Sequence, residues 1–415
     1  MKKFFTTIKN IFTIEDLRIR ILNTVGFLII FRVGSFIVLP GVDPNQLQTE
    51  ASGIFGLLNT FLGGAFQRAS IFGLGIMPYI SASIVLQLLT VAVPYFQKLQ
   101  KEGDSGRKKI TQITRVLTIA ITLAQGSAYI AATIPAEAIM LTNRTLFTLS
   151  SIVILTAGTI FCMWLGEKIT DKGIGNGISM LIMIGIISRF PGSIYLEAMT
   201  RGMSQALIFL LEIGALFFVV MGVVLLTQAV RRIPVQYAKQ VVGNKVYGGQ
   251  RQYIPLKVNS SGVMPIIFAQ SLMFLPAMIA SYFAESSDVA QYIGATFSNF
   301  QSWQYNLTFA IMIILFTFFY TAISVNPNQI ADDMKRNGGF IPGIKPGKST
   351  SEFIDNVLTK ITFPGSLFLA LVAIMPAFAI IAGVSSNFAQ FFGGTSLLIM
   401  VGVILDTLQQ IESYL

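Results

Sequence analysis

Long apolar runs, interrupted by basic or glycine-rich stretches, recur from one end of the chain to the other. Ten can be drawn, at 21–39, 76–93, 116–133, 146–165, 178–190, 206–228, 263–283, 307–325, 364–384 and 395–409. A helix of about 20 residues crosses a hydrocarbon core of roughly 30 Å, and nine of the ten runs approach that length. The fifth, "ISMLIMIGIISRF", is short and stops before Pro191. The second is barely long enough and follows "GIFGLLNTFLGGAFQRASIFGLG" (53–75), which is too rich in glycine to be a spanning helix and carries Arg68.

Charge decides whether the fifth run counts. Ten spans place the N-terminal tail and segments 94–115, 166–177, 229–262 and 326–363 on one side. Every Lys and Arg lies in those segments except Arg32, Arg68, Arg144, Arg189 and Arg201. Removing the fifth span would send the basic stretch "RRIPVQYAKQVVGNKVYGGQRQYIPLK" to the opposite side, against the tendency of positive loops to remain cytoplasmic. The expectation is ten helices with both termini in the cytoplasm. Five spans on each side of a 191–204 loop give an N-terminal half, 1–190, and a C-terminal half, 205–415, that enter the membrane inverted. The fold class predicted is therefore an all-α polytopic membrane protein.

Composition supports the same class and removes others. Of 415 residues, 53% are hydrophobic and 12% charged, about half the charge of an average soluble domain. The first run has no small-residue cleavage site and carries Arg32, so it reads as a retained helix rather than a signal peptide. Histidine is absent and Cys162 is the only cysteine. An intrachain disulfide is impossible, histidine acid–base chemistry is excluded, and metal or haem centres lack their usual ligands. No cofactor is expected. The net charge of +10 follows from the topology of the loops.

Few motifs suggest chemistry. "IPGIKPGKST" (341–350) resembles a phosphate-binding loop, but Pro342 stands where the leading glycine belongs, and a structured turn is the better reading. Arg32, Glu212 and Asp406 are the only ionisable residues well inside the spans, and a structural role fits Arg32 and Glu212. The cytoplasmic loops are long and basic and keep Tyr237, Tyr247, Tyr253 and Phe340 among their charges. Such loops suit an acidic or RNA-bearing partner.

Six stretches are distinctive: "LGIMPYISAS", "KEGDSGRKKI", "WLGEKITDKGIGNGIS", "RRIPVQYAK", "PLKVNSSGVMPIIFA" and "FGGTSLLI". In order, and over nearly the whole chain, they resemble the SecY/Sec61-alpha family, the central channel subunits of the Sec translocon. The resemblance implies two five-helix halves around a central pore, hinged at 191–204, with a lateral gate opening to lipid between helices two and three on one side and seven and eight on the other. It implies that 53–75 is a re-entrant plug, with Gly53, Gly56, Gly63, Gly64 and Arg68 in the outer funnel. Irregular backbone at that depth is tolerated where it faces protein or water.

By the same resemblance, Ile76, Ile80, Ile178, Ile182, Ile267 and Ile399 form an apolar ring at the waist of the pore. Such a ring would dewet against ions yet deform around a threading chain. Gln87, Gln270 and Ser271 would border the lateral gate. A polar segment would pass through, while an apolar signal peptide or nascent transmembrane segment would leave sideways into the lipid bilayer. The implied partners are the SecA ATPase or a ribosome on the cytoplasmic loops and the small SecE and SecG subunits, in a bacterial plasma membrane. Energy would come from the partner, not from an enzymatic site in this chain.

Two loop tips depart from the family pattern, which has arginines: here they carry Asn244 with Lys245, and Lys345. Lysine is a compact point charge without the planar fork of arginine, so docking through Lys245, Arg251, Lys257 and Lys345 is expected to be salt-sensitive. A secondary transporter also fits ten spans with inverted halves, but calls for a buried charge cluster. An intramembrane enzyme calls for a catalytic pair that the sequence lacks.

Overall fold

The structure is a computed structural model that describes residues 13–47, 59, 62–141, 143–202, 205–237, 240–242, 245–247, 251–283, 288–299 and 301–414. Each of the ten apolar runs carries a helix. Seven described helices are long and apolar enough to cross a membrane, or eight if one bent pair counts as a single span. The chain divides into two compact units, Met1–Thr200 with Val403–Leu415, and Arg201–Gly402.

The first unit contains α1 (Glu15–Gly34), α2 (Met77–Ala92), α3 (Pro94–Lys101), α4 (Asp104–Thr133), α5 (Arg144–Lys172) and α6 (Gly177–Arg201). The 16 residues of α2 rise only about 24 Å, less than a bilayer core. It ends at Val93, where the chain turns by 101° into α3; Pro94 cannot donate a bond to continue α2, but suits the first turn of a new helix. Leu39, Val42, Leu62, Phe66, Leu74, Tyr129, Phe147 and Leu155 belong to one buried core.

Two differences from the sequence reading arise here. Residues 191–201 are not a loop: α6 continues through Pro191 to Arg201, so the change of unit falls after Thr200. The C-terminal stretch 403–415 belongs to the first unit, not to the second half. Its Gln410 side chain accepts a hydrogen bond from Gly175 N–H at 2.7 Å, and the Arg20 guanidinium lies 5.6 Å from the centre of the Tyr414 ring.

The second unit contains α7 (Ala206–Gln228), β1 (Val230–Tyr237), β2 (Gln240–Val242), β3 (Lys245–Tyr247), β4 (Arg251–Lys257), α8 (Met264–Phe283), α9 (Asp288–Ser298), α10 (Trp303–Ser324), α11 (Pro327–Arg336), β5 (Gly339–Phe340), α12 (Lys348–Ile381), α13 (Ser386–Ala389) and α14 (Gly394–Tyr414), whose last turns cross into the first unit. Helix α7 is apolar all round, and Leu207, Leu210, Leu211, Phe217, Phe218 and Leu225 are exposed. A helix without a polar face is at home in lipid.

The basic loops are folded, which their composition did not suggest. β1 pairs antiparallel with β4 along its length, and β5 adds to its far end at Gln236 and Tyr237. Pro234 therefore sits where β1 has only one neighbour, and Pro255 sits on an edge strand, the positions where a sheet tolerates proline. Ile233, Val235, Leu256, Met334, Ile341, Ile354 and Leu358 form a separate apolar core. It joins the loop after α7, the loop after α10 and the polar first turns of α12.

Candidate pore elements, plug and partner-facing loops

The expected ring residues of the first unit lie just behind tight turns. Met77 N–H donates to Leu74 O at 3.2 Å, and Ile80 N–H to Ile76 O at 3.0 Å, so the chain turns into α2 at Ile76. Gly75 has φ +51°, and a side chain there would run into Leu62. Ile76 is 3% exposed and Ile80 8%, one helical turn apart and on one face.

The "GIGNGIS" turn places the other pair. After α5 ends, Ile174 N–H donates to Thr24 Oγ1 at 3.0 Å and Gly177 N–H to Thr170 Oγ1 at 2.9 Å. Asn176 Oδ1 accepts from Ser179 N–H at 3.2 Å, satisfying one of the free donors at the start of α6. A Cβ on Gly177 would strike the Gly166 carbonyl, and one on Gly166 would come within 2.9 Å of Ile178 Cγ1. The motif thus holds the start of α6 tightly against α5 and fixes where Ile178 and Ile182 begin.

In the second unit, Ile267 lies in the first turns of α8 and Ile399 in those of α14. Gly402 meets Val263 at 3.1 Å from its would-be Cβ. The residue three beyond Ile399 therefore lies against the residue four before Ile267, and the two stretches adjoin.

The expected gate residues bond mainly within their own helices. Gln87 Nε2 reaches Ser83 Oγ at 3.4 Å, and Ser271 Oγ donates to Ile267 O at 2.9 Å. Gln270 is buried at 7% exposure.

Gly53 and Gly56 of the expected plug lie outside the described residues. The remainder, 62–75, is no loose glycine loop. Leu62, Ala65, Phe66, Ala69, Phe72 and Leu74 are all buried. Tyr129 OH donates to Phe66 O at 2.6 Å. Leu39 N–H donates to Ala69 O at 2.8 Å, and Ile71 N–H to Ile37 O at 2.9 Å. A side chain on Gly158 would strike the Ile71 carbonyl. The glycines of and around this segment permit close approach, and its few apolar residues are spent on the core.

Three arginines meet beside it. Arg32 Nη1 and Arg68 Nη2 both donate to Gly63 O, at 2.9 and 3.3 Å. Gly63 and Gly64 have φ of +60° and +88°, the left-handed backbone that turns this carbonyl toward them. Both guanidinium groups lie over the Phe36 ring, at 4.7 and 4.2 Å from its centre. Arg189 follows Ser188, whose Oγ would lie 2.9 Å from a Cβ on Gly63.

Glu212 is held by Arg201. Its Oε1 accepts from Arg201 Nη2 at 2.5 Å, and the same nitrogen reaches Gly383 O at 2.5 Å. Asp406 is exposed.

Of the expected docking residues, Lys257 pairs with Val230 at the base of the β1–β4 hairpin and Arg251 with Gln236. Lys245 pairs with Val242 in the short β2–β3 ribbon; Asn244 lies outside the described residues. Lys345 is exposed in the turn before α12, and its carbonyl accepts from Thr350 Oγ1 at 2.9 Å. The phosphate-loop lookalike is thus a tied turn leading into a helix.

Apolar helices long enough to cross a membrane, a short second helix that bends sharply into the next and a folded basic head define a multi-pass membrane protein with the fold of protein-conducting channels. A solved structure described as a protein conducting channel matches with TM-score 0.66 at 16% identity, covering 95% of this chain and 92% of that one. Sec61 in a canine ribosome-channel complex matches with TM-score 0.61 at 15% identity, covering 95% and 92%. The family model SecY matches residues 70–408. The protein translocase subunit SecY of Streptomyces galbus is 45% identical over 99% of this chain and 97% of its own length; that of Mycobacterium bovis is 42% identical over 96% and 95%. The chain belongs to the SecY family of protein translocase subunits.

Proposed function

We propose that this chain forms the waist of a protein-conducting pore from Ile76, Ile80, Ile178 and Ile182 of the first unit and Ile267 and Ile399 of the second. Unfolded secretory chains cross through it, and apolar segments leave sideways into lipid past Gln87, Gln270 and Ser271. The observation that carries this reading is the placement of the six isoleucines. All lie in the first turns of a helix or, for Ile76, at its entry. In the first unit both pairs follow glycine turns that tolerate no side chain.

The plug role is assigned to 53–75, within which residues 62–75 serve as an anchor in the core of the first unit. SecE and SecG accompany the chain in a bacterial plasma membrane, with both termini cytoplasmic. SecA or a ribosome docks on the sheet and the turns that carry Lys245, Arg251, Lys257 and Lys345. The secondary-transporter alternative is not favoured, because the relatives that match nearly the whole chain are protein translocase subunits.

A narrow apolar waist resists hydration. Replacing Ile80 and Ile267 together by glycine is expected to raise ion leak across reconstituted vesicles while the protein still inserts. Conductance unchanged from the parent would place the constriction elsewhere.

A further inference from the structure

We infer that Arg32, Arg68 and Arg189 form a binding site for a phosphate-type oxyanion that ties the 62–75 segment to α1 and α6. Three guanidinium groups from three separate stretches of the first unit lie within electrostatic reach of one another. None of them pairs with a carboxylate among the described residues. What they do have is one carbonyl, Gly63 O, shared by two of them, and the face of Phe36. Arg68 Nη1 is buried with no hydrogen-bond partner. The three side chains are only part-buried, and cations withdrawn even partly from water gain from a counter-charge. A tetrahedral oxyanion offers several acceptor oxygens, and guanidinium forks match such oxygens in pairs.

The oxyanion is supplied either free in solution or on a lipid headgroup, and the site is the same for both. Its occupation would cancel the mutual repulsion of the three arginines and hold residue 68 to residues 32 and 189. The inference stands apart from the channel reading, because it concerns anion binding alone.

The test uses the full chain, purified in neutral detergent and depleted of lipid. Inorganic phosphate is titrated against chloride at constant ionic strength while thermal unfolding is followed. A saturable rise in Tm is expected. Arg189→Gln should weaken the half-saturating concentration about tenfold or more, as loss of a charge-assisted hydrogen bond implies. Arg68→Gln should do the same, whereas Arg144→Gln, at an exposed arginine, should leave the titration unchanged. Phosphatidylglycerol that competes with phosphate would assign the headgroup as source; phosphate acting alone would assign the free ion. No saturable response to either, or an undiminished response in both Arg189→Gln and Arg68→Gln, would overturn the proposal.

Discussion

The two units of this protein bury arginine in opposite ways. In the second, Arg201 meets the Glu212 carboxylate and the Gly383 carbonyl, which tie the end of α6 to α7 and the end of α12. In the first, Arg32 and Arg68 share a single carbonyl and an aromatic ring, with Arg189 close by. A carboxylate offsets the charge of its partner, and such a pair serves structure. A shared carbonyl dipole neutralises little, and positive charge is left for something else to meet. An arginine near the apolar spans therefore flags function when no carboxylate among the described residues meets it.

Mutations should separate the two sites by size of effect. Glu212→Ala should be the most damaging, since it strands a largely buried Arg201; breaking one side of a buried pair costs about 3–5 kcal/mol. The double variant Arg201→Leu with Glu212→Ala should recover much of that loss in denaturant or thermal unfolding. A single variant as stable as the parent would remove the structural role of the pair.

Tyr129→Phe should come next. It deletes the hydroxyl that holds Phe66 O and leaves that buried carbonyl short of a donor, at a cost of about 1–3 kcal/mol. Hydrogen exchange at residues 65–71 should rise in step, because this bond anchors the segment. Exchange unchanged there would mean that the apolar core alone holds it.

Arg189→Gln should be smallest, within about 0.5 kcal/mol in chloride, and stabilising in sign, since it removes one of three like charges. A loss comparable to that of Glu212→Ala would show that Arg189 has a counter-charge after all, and the contrast between the units would fail.

Much of the architecture was legible from the pattern of apolar runs and from where lysine and arginine fall. Helix α7 begins and ends where the run 206–228 does, because nothing polar extends it. Boundaries failed where a helix continues into water: α12 starts at Lys348, well before its apolar run, and α6 passes through Pro191. The β1–β4 sheet was missed because its strands carry prolines and charges, and because its core is completed by Met334, Ile341 and Ile354 from a distant loop. The glycines at 63–75 argue in the sequence only against a spanning helix, whereas in the structure their neighbours use them for close packing. The ring positions were reachable only through the resemblance, since isoleucine in an apolar helix carries no signal of its own. Arg32, Arg68 and Arg189 stand out in the sequence only as single arginines outside the basic segments, and no sequence spacing joins three residues so far apart.

The proposed path takes a translocating chain past Ile80 and past Ile267. The most direct measurement places single cysteines at Ile80, at Ile267 and at the exposed Leu210 of α7, on a Cys162→Ser background, and crosslinks each to a stalled secretory precursor carrying its own cysteine. Strong crosslinks are expected from positions 80 and 267 and none above background from 210. Crosslinking from 210 with none from 80 or 267 would contradict that path.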